Sequence, residues 1–211
     1  MSRKPKPSGR RLKNKGISKR SVGRRDLHPR FLIVCEGEKT EPNYFRRFPV
    51  SINVKVKGIG YNTTSLVNEA KKMIKEAEDQ RAEYTDVWVV FDRDDFPPRD
   101  FNNAISMAQD RGIKVAYSNE AFELWYVLHF QYMDNAISRQ QYQKIIAKKL
   151  GESYRKNDTL IYGKLSKYQD IAIRNAERLL EHYKPNHNPA KDNPCTTVYK
   201  LVKELNKHRR K

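Results

Sequence analysis

Two short runs in this sequence, Phe31-Leu-Ile-Val-Cys35 and Val87-Trp-Val-Val-Phe91, are apolar at every position. A strand with one wet face alternates polar and apolar residues. A strand with no polar position is covered on both faces, as in a parallel sheet layered between helices. Ile52–Ile59 alternates with period two and reads as a more exposed strand, and Ile113–Tyr117 as a fourth. Helices fit between them. A short one, Asn43 to Phe48, follows Pro42, and a long one capped by Thr63 or Thr64 carries Leu66, Val67, Ala70 and Met73 on one face. A third, after Pro97-Pro98, closes at Gly112, and an apolar fourth spans Ala121 to Phe130. Strand and helix alternate four times over residues 30–131. This predicts an α/β fold: a mainly parallel four-stranded sheet flanked by helices through right-handed crossovers. Helices are expected over Arg139–Leu150, Leu165–His182 and Thr196–Arg209, with a Pro- and Asn-rich loop from Tyr183 to Pro194. The expected organisation is an arm (1–27), an α/β core (28–131) and a helical C-terminal region packed on it (132–211).

Charge limits the partners. The 211 residues carry a formal net charge of +18, which points to a polyanion such as DNA or RNA. Residues 1–27 hold eleven Lys and Arg against Asp26 alone and almost nothing apolar. They read as a basic arm without a core of its own, either a nucleic-acid contact or a solubilising tail. No apolar run reaches the roughly 18 residues of a membrane span, so no membrane role is expected. Cys35 and Cys195 make neither a disulfide framework nor a four-thiolate zinc site, and the expected compartment is a reducing cytoplasm.

Parallel α/β sheets bind ligands at the carboxyl ends of their strands. Both fully apolar runs end there in acids: Glu36, with Glu38 and Glu41 close behind, and Asp92 with Asp94 and Asp95. In extended backbone, residues two apart point the same way, so Asp92 and Asp94 face one point. Glu36 joins them if the two strands are neighbours. Such acids either cap turns or hold a cation. Crowded together they repel unless their pKa values rise or a cation neutralises them, and hard oxygens with no His or Cys nearby favour Mg²⁺ or Mn²⁺. A metal bridging these acids to phosphate oxygens is the arrangement of metal-assisted phosphodiester chemistry.

An apolar strand ending in Glu-Gly, followed by one ending in Asp-x-Asp, resembles the Toprim domain. The chain is more closely similar to the RloB family of prokaryotic defence proteins. The stretches that carry the likeness are Cys35-Glu-Gly-Glu-Lys-Thr-Glu-Pro-Asn-Tyr-Phe45, Val90-Phe-Asp-Arg-Asp-Asp-Phe96, Ser118-Asn-Glu-Ala-Phe-Glu-Leu-Trp125 with His129-Phe130, and Asn193-Pro-Cys-Thr-Thr-Val-Tyr199. The resemblance implies a compact Toprim-like fold with divalent metal at its acidic edge. It implies Glu36 as acid–base residue or metal ligand, and Asp92 and Asp94 as metal ligands. Overcoming-lysogenization-defect nucleases carry a second acid shortly after the first Glu. Glu41 or Glu38 takes that place here, with Glu41 one residue further along, and one or two metals stay open. An ATPase partner is implied in the same way.

Other residues carry less. Glu123 lies among apolar neighbours and needs a partner, either a metal site or a Lys or Arg. Lys39, Arg93 and Lys164 are candidate phosphate contacts, although a solvated role is common for a single Lys. His129 reads as a hydrogen-bonded packing residue, and His182, His187 and Cys195 fit no zinc pattern. The leading expectation is a Mg²⁺- or Mn²⁺-dependent nuclease of an anti-phage, abortive-infection system, with Glu36 or Glu41 managing the proton. The alternative is a nucleic-acid-binding sensor that acts with an ATPase and does not cut.

Overall fold

A computed structural model describes residues 29–60, 63–93 and 97–210. The basic arm, 1–27, lies outside the described residues, as do Asp94 and Asp95. The strands are β1 (Arg30–Cys35), β2 (Asn53–Gly58), β3 (Asp86–Asp92), β4 (Lys114–Asn119) and β5 (Cys195–Thr196). The helices are α1 (Thr40–Phe45), α2 (Thr63–Asp79), α3 (Pro98–Gln109), α4 (Glu123–Leu128), α5 (Arg139–Leu150), α6 (Ile161–Leu165), α7 (Gln169–His182) and α8 (Val198–Asn206).

The sheet order is β2-β1-β3-β4-β5. The first four strands are parallel, and β5 pairs antiparallel to β4. The expected sheet is therefore present with a fifth strand added. Two residues are too few to show a period, and the sequence pattern places Thr196 in the last helix. That helix starts at Val198 instead. The expected Leu165–His182 helix is divided by a 3-10 turn at Ser166–Tyr168. The short helix expected after Pro42 begins earlier, at Thr40, because the first turn of a helix needs no N–H from proline. That shift sets Glu41 in the first turn.

Alternate residues of β1 feed two cores. Phe31, Ile33 and Cys35 pack with Trp88 and Val90 against a layer that includes α1, α4, α5, α7 and α8. Leu32 and Val34 pack with Val89 and Phe91 against α2 and α3. This two-sided burial is the reason neither run has a polar position. The C-terminal helices thus share a core with β1 and β3 rather than forming their own.

From β1 the chain crosses to β2 on one side and then to β3 on the other. The crevice outside the carboxyl ends of β1 and β3 is therefore the topological switch point, where open α/β sheets bind ligands. Among the described residues, no helix is long and apolar enough to cross a membrane.

Candidate active site

Glu36 follows β1 and Asp92 ends β3, and the two strands are paired with Cys35 beside Val90. The backbone N–H of Asp92 donates to Glu36 Oε2 at 3.2 Å. Glu41 reaches back from α1, and its Oε1 accepts the N–H of Gly37 at 3.3 Å. Gly37 is required for this approach: a Cβ there would lie 2.1 Å from Glu41 Oε2. Glu123 comes from α4. Its Oε1 accepts from Gln143 Nε2 at 3.2 Å and from the Tyr154 hydroxyl at 3.3 Å. Together Glu36, Glu41, Asp92 and Glu123 line one cavity of about 150 Å³, with Gly37, Thr40, Phe122, Arg139 and Lys156.

The cavity is electrostatically strained. Glu41 and Glu123 are only 4% and 2% exposed. Burial first, and then the charge of Glu123, push the Glu41 carboxyl up to about 7. Burial, followed by Glu41 and Glu123, holds Asp92 well above the usual carboxylate range. Two groups offset part of this. Asp92 Oδ2 accepts the N–H of Phe122 at 3.0 Å and lies 3.6 Å from Arg139 Nη2, an ion pair too long for a hydrogen bond. Asp92 Oδ1 is buried with no hydrogen-bond partner among the described residues. Burial first, and then Glu123, also raise the Tyr154 phenol, so it stays protonated and donates.

Four of the expected site residues, Glu36, Glu41, Asp92 and Glu123, meet in this cavity. Of the two acids that follow Glu36, Glu41 lines the cavity, whereas Glu38 is exposed and its side chain lies against Gly60. Glu123 has no Lys or Arg ion pair among the described residues, and neutral donors satisfy it instead. Asp94 lies outside the described residues. The three expected phosphate contacts are not in the lining. Lys39 is exposed just before α1, and Arg93 is half-buried with its N–H donated to Ser118 O at 2.8 Å. Lys164 is held by Glu152 and Asp158. Arg139 and Lys156 supply the cations of the lining instead, and no motif marks either one in this Lys- and Arg-rich chain.

The carboxylates surround a space rather than meeting at a point. Among the described residues, no three His, Cys, Asp or Glu side chains are gathered at metal-binding geometry. The donor set nonetheless fits a hard divalent cation. It is all oxygen, it lies at the switch point, and it includes an unpartnered buried oxygen on Asp92.

The residues set aside from catalysis are structural. His129 is fully buried with Nδ1 2.8 Å from Trp125 O, and burial pushes its pKa down to about 4. His187 bridges the Tyr117 hydroxyl and Asp192, at 2.6 Å on each side.

No curated protein and no solved structure matches the chain. One family model does, that of the RloB-like protein, over residues 31–205. That span takes in all of β1 but Arg30, every acid of the cavity and nearly all of the C-terminal helices, so the chain belongs to the RloB-like protein family.

Proposed function

We propose that this protein is a divalent-metal-dependent nuclease of Toprim type. It would act in the cytoplasm in a prokaryotic anti-phage defence of the abortive-infection kind, hydrolysing phosphodiester bonds of DNA or RNA. The observation that carries the reading is the buried Oδ1 of Asp92, which has no partner among the described residues, in a cavity shared with Glu36, Glu41 and Glu123. Of the buried side-chain atoms without a partner among the described residues it is the one carboxylate oxygen, the donor type a hard divalent ion takes.

Asp92 and Glu36 would hold Mg²⁺ or Mn²⁺. Glu123 lies close behind, and the family resemblance gives Asp94 a ligand's role. The bound ion would polarise the phosphodiester and favour ionised water. The chain's own groups do the rest. The Phe122 N–H fixes Asp92 Oδ2, so Oδ1 is the oxygen left to serve a ligand. The Asp92 N–H orients Glu36 in turn. Glu41 is suited to take a proton from the attacking water, because a base with a pKa near 7 works best near neutral pH. Gln143 and Tyr154 hold Glu123 in place. Arg139 offsets the charge gathered on Asp92. The same resemblance suggests an ATPase partner.

Metal binding can be read without activity. Mg²⁺ or Mn²⁺ should raise the thermal midpoint of the parent protein and leave that of Asp92→Asn nearly unchanged. Equal stabilisation of both would remove Asp92 from the ligand set.

A further inference from the structure

The chain between α5 and α6 is tied down at alternate residues. Gly151, at φ +73°, ends α5 and turns the backbone away. Glu152 pairs with Lys164. The Tyr154 hydroxyl bonds Glu123 Oε1 at 3.3 Å. The Lys156 carbonyl accepts from Thr40 Oγ1 at 3.4 Å. Asp158 receives the Leu160 N–H on Oδ1 at 2.8 Å and Lys164 Nζ on Oδ2 at 2.7 Å. Four of these ties lead to α1, α4 and α6, and they hold the segment beside the cavity with Lys156 in its lining. The pKa of Lys164 is raised, first by Asp158 and then by Glu152, so its charge is committed to holding the segment.

Lys156 is the exception among these cations. It lines the cavity, is exposed, and has no ion-pair partner among the described residues. Its backbone is anchored while its ammonium is not. A lysine held this way serves as a point charge for a phosphate.

We propose that residues 152–160 form a strap that presents Lys156 at the cavity mouth as a contact for a nucleic-acid phosphate, with Lys164 as the positioning residue that locks the strap. The ligand class rests on the nuclease reading, but the test below does not require cleavage.

The experiment measures binding of full-length protein to labelled 30-nucleotide single-stranded DNA and RNA by fluorescence anisotropy, over a range of salt, with EDTA present so that nothing is cut. The proteins are the parent, Lys156→Gln, Lys164→Met, Lys164→Arg and the Lys156→Gln/Lys164→Met double variant. Losing one phosphate contact should lower the slope of log K against log salt by about 0.7 and weaken low-salt binding roughly fivefold. Lys156→Gln should show this loss with an unchanged thermal midpoint. Lys164→Met should show the same loss, Lys164→Arg should restore it, and the double variant should lose no more than either single one. An unchanged slope in Lys156→Gln, or losses from Lys156 and Lys164 that add, overturns the strap. A parent that shows this pattern but cuts nothing when metal is supplied keeps the strap and loses the nuclease reading. A parent that cuts, with Lys156→Gln binding as well as it does, keeps the nuclease reading and loses the strap. A parent that binds neither oligonucleotide overturns the strap.

Discussion

The backbone N–H of Asp92 donates to Glu36 Oε2 across 3.2 Å, so the acid that ends β3 holds the acid that follows β1. The bond needs only an acceptor oxygen, whereas the proposed metal site needs a charge. Glu36→Gln should therefore keep the fold, with a thermal midpoint close to the parent's, and lose cleavage by at least about 100-fold. Glu36→Ala should lose cleavage equally and cost about 1–3 kcal/mol more stability, since the bond is also lost. Thermal melts beside a cleavage time course check both. A Glu36→Gln protein that cuts like the parent removes Glu36 from the chemistry.

Glu41 gives the metal-free protein a pH dependence of definite sign. Its carboxyl rises from 4.5 to about 7 on folding, chiefly through burial. Between those values the native state holds a proton that the unfolded state has released, so stability falls as pH rises. The loss attributable to Glu41 is on the order of 3 kcal/mol between pH 4.5 and 8. Without metal, the thermal midpoint should decline over this window. Glu41→Gln should flatten the decline, melt higher than the parent at pH 8, and still abolish cleavage. A flat profile in the parent would contradict the strained cavity.

Gly37 is constrained by its neighbour rather than by its own backbone. The Cβ of Gly37→Ala would meet the Glu41 carboxylate, which is buried and has little room to retreat. The variant should cost about 1–3 kcal/mol by overpacking and displace the proposed base. Cleavage should fall far more than urea denaturation reports for stability. Full activity in Gly37→Ala would show that the position of Glu41 does not matter.

Tyr154→Phe tests the support of Glu123. The change removes one of two neutral donors to a carboxylate that is 2% exposed. A cost of about 1–3 kcal/mol is expected for the lost bond. Urea denaturation beside the parent checks it, and an unchanged midpoint would show that the bond does not support Glu123.

The two apolar runs were enough to indicate a parallel sheet, because only double-sided burial removes every polar position. The same logic placed Glu36 and Asp92 at adjoining strand ends. Glu41 was harder to separate from Glu38. The choice depends on α1 starting at Thr40, ahead of its proline, and on the absence of a side chain at Gly37. Glu123 stood out as an acid among apolar residues, but its partners Gln143 and Tyr154 lie 20 and 31 residues away and leave no local trace. Arg139 and Lys156 were invisible for a plainer reason. With 43 Lys and Arg in the chain, only the folded backbone distinguishes a cation at the cavity from one in solvent. Lys164 illustrates the converse, as a basic residue near the site in sequence whose charge is used to pin a loop.

The most direct test incubates purified protein with plasmid, linear DNA and total RNA in Mg²⁺, Mn²⁺ or EDTA, with Asp92→Asn alongside. The account predicts cutting of at least one substrate that requires the divalent ion and disappears in the variant. Tight, salt-sensitive binding with no cutting of any substrate would contradict it and favour a nucleic-acid sensor that acts through an ATPase.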